Sequence, residues 1–284
     1  MKILVFGASG MIGSAMVRVL GENSAWEVFG TLRSADANRF FLPSAASKLL
    51  PGVDIDNNDA LVRIFSRVQP EVVVNCIGLT KHRRESDDPV LAIPINSLLP
   101  HRIAEVCAVA RARLIHVSTD CVFSGLKGSY VEDDPADACD VYGKTKFLGE
   151  VDYPHAVTLR TSTIGHEFQS THGLLEWFLS QKGKCKGFER AIFSGLPSTV
   201  FAQVVRDIVI PRTDLSGLYH VGAKAINKYE LLRLIAKVYG KAIEIIRDES
   251  FAIDRSLDSG LFSRETGYVA PSWPELIQSM YASR

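Results

Sequence analysis

The sequence predicts an α/β protein with a doubly wound (Rossmann), mostly parallel sheet and a small, irregular C-terminal region. Three observations predict it. The chain opens with a short apolar strand, a glycine-rich turn and an amphipathic helix. Apolar runs of strand length and helical repeats then alternate through the first half, as they do where crossover helices join parallel strands. After about Thr163 that rhythm breaks down. A chain of 284 residues has room for one large domain or a domain and a half. The expected division is a first domain over 1–165, completed by strands around 190–222, and a smaller region over 166–284.

Composition narrows the partners. Net charge is zero and the pI is about 7.0, which leaves no electrostatic footprint for nucleic acid or an acidic membrane. No apolar run reaches the ~18 residues that a spanning helix needs. The first strand lies too close to Met1 to leave room for a signal peptide, so a cytoplasmic protein is expected. The five cysteines, Cys76, Cys107, Cys121, Cys139 and Cys185, include no CxxC pair and read as free thiols. Seven scattered histidines form no HxxxH or HExxH pattern, and no metal is predicted.

Ile3, Leu4, Val5 and Phe6 form the first strand, with the length and composition of a buried parallel one. Gly7, Gly10 and Gly13 punctuate the turn, and Ile12, Ala15, Met16, Val19 and Leu20 repeat on one helical face. In that context the glycines read as a dinucleotide site. Gly7 turns the chain, Gly10 admits a pyrophosphate, and Gly13 lets helix and strand pack. Ser9, Gly10, Met11 and Ile12 would line the phosphates with the free N–H groups of the helix start. A tight turn alone is the competing reading.

A second strand over 26–31 leads to Arg33, with no carboxylate before Asp36. At this place an acid selects the ribose 2′-hydroxyl and a basic residue accommodates a 2′-phosphate. Arg33 therefore favours NADPH, with NADH as the alternative; an exposed loop arginine is the other account. Asp54 and Ile55 lie beside an adenine, or Asp56 and Asp59 simply cap the helix 59–68. A buried strand over 71–78 leads to Lys81, His82, Arg83 and Arg84, a basic run that either reaches a substrate diphosphate or is solvated. A helix over 98–112 and a strand over 113–118 follow.

That strand ends in Ser118, Thr119 and Asp120, and ligands of open parallel sheets sit beyond the carboxyl ends of strands. Of the eight tyrosines, Tyr142 alone has a lysine, Lys146, four residues later. On a helix the pair shares a face. A phenol titrates near ~10, and a fixed ammonium lowers that value until the phenol is a usable proton donor. Thr119, Tyr142 and Lys146 would then grip a carbonyl oxygen, and Tyr142 would protonate the alkoxide left by hydride transfer. Lys146 would also bond the cofactor ribose. An ordinary polar pair on a half-exposed helix is the bland alternative.

With these residues in place, the chain resembles an extended short-chain dehydrogenase/reductase. Within that group it is similar to the dTDP-4-dehydrorhamnose reductase family. The resemblance rests on 7–13, 74–78, the run Ser118-Thr119-Asp120-Cys121-Val122-Phe123, the run Tyr142-Gly143-Lys144-Thr145-Lys146, 159–162 and 254–258. It implies that Thr119, Tyr142 and Lys146 are catalytic and that Cys76 and Gly78 border the cofactor. It also implies reduction at C4 of a nucleotide-linked 6-deoxyhexulose, feeding cell-surface polysaccharide.

Three positions depart from the family. Cys121 stands where tyrosine is usual, and Thr163 where a sugar-lining tryptophan is usual. Ala15 replaces a glutamate that some members use in a magnesium-linked dimer, and a homodimer is left open. Nucleotide-sugar dehydratases place Asp-Glu after the threonine, whereas Asp120 precedes Cys121.

In the C-terminal part, 173–182 reads as an apolar helix and Gly183 and Gly187 as turns. Ser198 and Thr199 are placed near substrate by the resemblance, or cap a helix. A late strand over 217–222 and a helix over 228–239 follow. Arg255 is the candidate for the substrate diphosphate, since a planar guanidinium suits it; a structural salt bridge competes. The expected activity is NAD(P)H-dependent reduction of a nucleotide-activated 4-keto-6-deoxy sugar, UDP-linked N-acetyl sugars included. An NAD-dependent epimerase and a catalytically silent dinucleotide-binding regulatory subunit are the alternatives.

Overall fold

Four consecutive apolar residues with no exposed surface, Ile3 to Phe6, make a strand that only the centre of a sheet can hold. They belong to β1 (Lys2–Phe6) in a computed structural model that describes residues 1–41, 48–81, 84–167 and 173–284. On one side β1 pairs in parallel with β2 (Glu27–Leu32), and on the other with β4 (Val72–Asn75). β3 (Leu49–Pro51) lies parallel to β2, and β5 (Arg113–Thr119) parallel to β4. With β6 (Ala156–Thr161) and β10 (Gly217–His220) the order is β10-β6-β5-β4-β1-β2-β3. The chain runs outward from β1 through β2 to β3, then returns to the other side of β1. That reversal opens a crevice beyond the carboxyl ends of β1 and β4, the place where doubly wound sheets bind ligands.

The helices around these strands have local causes. Asn57 accepts from the N–H groups of Asp59 and Ala60 and starts the helix Asn58–Val68. Its buried face, Leu61, Phe65 and Val68, joins Leu4, Phe6, Val73, Ile103 and Leu114 in one core cluster. The helix Pro89–Ala92 widens into a π turn, Ile93–Leu98, before continuing as Leu99–Ala110. The helix thus begins before the expected 98 and ends before the expected 112, because Arg111 turns left-handed at φ 55°. β4 also stops early, at Asn75, whose side chain accepts from the Ile77 N–H and bends the chain.

The chain divides into two compact units. One comprises Met1–Ser118, Cys139–Leu159 and Ala202–Leu218; the other comprises Thr119–Ala138, Arg160–Phe201 and Tyr219–Arg284. The second contains a ladder that the sequence did not announce. β8 (Lys184–Phe193) runs parallel to β12 (Glu244–Asp254), and β11 (Ile226–Asn227) pairs antiparallel with its other edge. Gly183 does turn, at φ +69°, but Gly187 lies inside β8, where a Cβ would meet Tyr229 Cδ2 at 2.9 Å. β7 (Thr163–Ile164) pairs with β9 (Leu196–Pro197). The helix Lys228–Tyr239 lies as expected, and the closing helix Trp273–Ala282 begins in a capping box of Ser272 and Glu275. Among the described residues no helix is long and apolar enough to cross a membrane.

Candidate active site

The glycine turn is shaped as a phosphate cradle. Gly7 sits at φ +81°, and a Cβ on Gly13 would lie 2.1 Å from the Gly7 carbonyl oxygen. Only glycine lets the helix Met11–Leu20 start so close to β1. Its N-cap is Gly10, which has no side chain to satisfy the first N–H groups. Those donors and the positive end of the helix are left for an anion. Ser9, Met11 and Ile12 are half-buried at its rim, and Gly10 is exposed. The cradle therefore fits the pyrophosphate of a dinucleotide. Arg33 is exposed one residue beyond β2. Asp54 is exposed and accepts from the Asp56 N–H at 3.0 Å, while Ile55 packs against the core.

The next strand ends bring the lysine of the Tyr142–Lys146 pair. Lys146, on the helix Val141–Leu148, is 4% exposed and donates from Nζ to the Val117 carbonyl at 3.0 Å. Burial pulls its ammonium down to about 8, against the pull of Glu150 and Cys76 in the other direction. Burial also pushes the Cys76 thiol up to about 12, so it stays protonated. A Cβ on Gly78 would sit 3.4 Å from Asn96 Oδ1 and 3.9 Å from Lys146 Nζ. Cys76, Gly78 and Lys146 thus meet at one place. Tyr142 is half-buried one helical turn before Lys146. Ser118 donates to Glu150 Oε1 at 2.6 Å, tying the end of β5 to the residue after this helix. Lys81 bonds Asp140; His82 and Arg83 lie outside the described residues.

Thr119 follows Ser118 and opens the second unit. Its Oγ1 accepts from the Cys121 N–H and donates to Asp120 Oδ1, both at 3.1 Å. Burial raises the Asp120 carboxyl, while Arg255 and hydrogen bonds from Thr119, Cys121 and Ser162 hold it down. Arg255 donates from Nε to the Phe123 carbonyl at 2.7 Å, with Nη1 3.9 Å from Cys121 Sγ. Thr119, Asp120, Cys121 and Arg255 are therefore one cluster. Thr163 sits in β7 opposite Leu196. Ser198 and Thr199 are buried at the start of the helix Ser198–Val204, and Thr199 donates to Ser283 Oγ at 2.9 Å, at the end of the closing helix.

The profile of the RmlD substrate-binding domain matches residues 1–283. The chain belongs to this family. A dTDP-4-dehydrorhamnose reductase of Aggregatibacter actinomycetemcomitans is 26% identical over 81% of this chain and 76% of its own length. A probable low-salt glycan biosynthesis reductase of Haloferax volcanii is 28% identical, over 90% and 86%. The methionine adenosyltransferase 2 subunit beta of Xenopus tropicalis is 26% identical, over 84% and 72%. In fold, the chain is similar to a Bacillus anthracis dTDP-4-dehydrorhamnose reductase solved with NADP: TM-score 0.79, 18% identity, covering 100% of this chain and 99% of that one. A Bordetella bronchiseptica enzyme solved with NAD gives a TM-score of 0.81 at 20% identity, covering 99% and 93%.

In this member of the RmlD substrate-binding domain family, two further residues, one in each unit, adjoin the clusters described above, and sequence reading passed over both. Asn96, in the π turn, is fully buried. It accepts from the Leu79 N–H at 2.8 Å and donates to the Leu79 carbonyl and to Thr145 Oγ1, each at 3.2 Å. It thereby joins the loop after β4 to the helix of Tyr142 and Lys146; a polar residue in an apolar helical stretch was the available signal. Lys228 opens the helix Lys228–Tyr239. Burial lowers its pKa, and Asp120, Cys121 and Arg255 all act on it. Nothing in its local sequence points to that cluster.

Proposed function

We propose that the protein is an NAD(P)H-dependent reductase of the C4 keto group of a nucleotide-activated 6-deoxyhexulose, whose product feeds cell-surface polysaccharide. One observation carries the reading: the buried Lys146 is fixed at the end of β5 four residues after Tyr142, in the unit that holds the glycine cradle. A nicotinamide cofactor held there supplies the hydride. Gly7, Gly10 and Gly13 admit its pyrophosphate, and Arg33 takes the 2′-phosphate of NADPH; NADH is the second choice. Lys146 bonds the cofactor ribose and lowers the cost of negative charge on the phenol. Thr119, its hydroxyl turned from Asp120 Oδ1, and Tyr142 donate to the substrate oxygen, and Tyr142 gives its proton to the alkoxide as it forms. Arg255 and Lys228 hold the diphosphate, with Asp120, Cys121 and Thr163 beside the sugar.

The relatives named as reductases support this reading. The match to a methionine adenosyltransferase subunit favours a second one, a dinucleotide-binding regulatory subunit without turnover. The deciding experiment follows NADPH oxidation with a panel of nucleotide-linked 4-keto-6-deoxy sugars. Turnover with one sugar, lost by ~10²-fold or more in Tyr142→Phe while cofactor still binds, is expected. Tight cofactor binding without oxidation of any member would favour the regulatory reading.

A further inference from the structure

Two side chains four residues apart meet neighbouring residues at the end of β5. Lys146 Nζ donates to the Val117 carbonyl at 3.0 Å, and the next residue, Ser118, donates from Oγ to Glu150 Oε1 at 2.6 Å. The helix Val141–Leu148 ends between them, with the Gly149 N–H on the Lys146 carbonyl and the Glu150 N–H on the Phe147 carbonyl. A Cβ on Gly149 would lie 1.9 Å from the Asn96 carbonyl oxygen, so the turn that brings Glu150 back to β5 is packed against the π turn. A buried ammonium needs a negative charge close by to stay ionised. Two groups favour the proton on Lys146, Glu150 first and Cys76 second. The Cys76 thiol, pushed up to about 12, is neutral where Lys146 titrates, at about 8. Of the two, the Glu150 carboxylate alone carries charge there.

We propose that Glu150 is a positioning residue for proton transfer: held by Ser118, its carboxylate keeps Lys146 ionised, and Lys146 in turn acts on Tyr142. The proposal rests on the reading of Tyr142 and Lys146 as the proton-transfer pair. The other ionisable groups around this helix are neutral, exposed or bonded elsewhere. His116, from β5, is kept neutral by burial. His101, from the helix Leu99–Ala110, donates from Nε2 to the Leu148 carbonyl at 2.9 Å. Asp140 bonds Lys81 and caps the opposite end of the helix. The turn Arg84–Asp87 and the helix Pro89–Ala92 bring Glu85, Asp87 and the capping Asp88, all exposed to water, as is Lys144. The π turn Ile93–Leu98 brings no ionisable side chain. A neutral Lys146 would no longer favour the phenolate of Tyr142. Glu150 thereby extends toward alkaline pH the range in which the pair can work.

The test is an NMR titration of the lysine ε-methylene groups in the full chain, made with isotope-labelled lysine and free of cofactor. The Lys146 signal is the one missing from Lys146→Met. In the unmodified protein it should titrate at about 8. In Glu150→Gln it should titrate about one pH unit lower. Glutamine can still accept from Ser118, so this variant removes the charge and keeps the bond. Glu150→Asp keeps the charge and should fall between the two. In the reductase assay, Glu150→Gln should be slower by about fivefold at ~pH 8, where fewer of its lysines are charged, and should match the unmodified protein at ~pH 6. A Lys146 signal that stays in place or moves up in Glu150→Gln would overturn the proposal. So would a Glu150→Asp protein that falls as far as Glu150→Gln, since the loss would then follow packing and not charge. An activity ratio independent of pH would overturn it too. The titration needs no turnover: a Lys146 that shifts as expected in a protein that reduces no sugar refutes the proposed reaction and leaves the pair with Glu150 standing. An unmoved Lys146 in an active reductase does the reverse.

Discussion

Lys228 shows how a single residue can acquire a task that its neighbours in sequence do not reveal. Asn227 and Asp254 both stand opposite Ile192, on the two edges of β8. The residues after them, Lys228 and Arg255, are the two cations of the cluster around Asp120 and Cys121. Asp120 faces both cations, Asp137 also acts on Arg255, and two cations side by side suit a substrate anion. Lys228→Met should therefore raise the KM for a nucleotide-linked keto sugar by about tenfold, a loss of ~1.4 kcal/mol. The KM for NADPH should stay unchanged. Steady-state kinetics with each ligand varied in turn checks this; a rise in both constants would place Lys228 in the packing of its helix rather than at the substrate.

At the scale of elements, what was legible followed from how local the cause was. The strand Ile3 to Phe6, the glycine turn and the helix after it are short-range physics, and each lies where the sequence put it. The pairing of β8 with β12 was not legible, because Lys184 meets Glu244 across a long stretch of chain and β12 exposes side chains on both faces. Asn96 is the same lesson at the site. Its partners Leu79 and Thr145 lie 17 and 49 residues away, so no spacing rule could find them. Those bonds make the π turn a brace between the loop bearing Gly78 and the helix bearing Lys146. Asn96→Ala should leave the part-buried Leu79 N–H without its acceptor, at a cost of about 1 kcal/mol or more. Denaturant unfolding should show that loss as a lower midpoint with an unchanged slope. Turnover should fall as well, because the lysine loses its support; unchanged kcat in a destabilised protein would confine Asn96 to stability.

For the whole molecule, burial of neutral histidines makes the stability of the fold depend on pH. His220 is fully buried in β10. Its Nε2 lies 3.2 Å from Arg160 Nη1, which can only donate, so that ring nitrogen accepts and is unprotonated. Its Nδ1 donates to the Tyr130 carbonyl at 3.0 Å. Around it stand Arg160, Asp258 and Glu132, whose carboxylate accepts from the His220 N–H. Burial first, and then the Arg160 charge, pull its pKa down to about 4. An unfolded histidine titrates near ~6.5. Between those values the unfolded chain binds the proton and the native chain does not, so stability rises with pH across that window. It should fall by about 3 kcal/mol as pH drops from ~6.5 toward ~4, and level off for this group below that. His116, neutral and fully buried, adds in the same direction. Urea unfolding between pH 7 and pH 4 measures the slope, with His220→Gln as the comparison. That variant should be less stable at pH 7 but lose less on acidification. Parallel pH profiles for the two proteins would mean that carboxylates, and not His220, govern the acid limb.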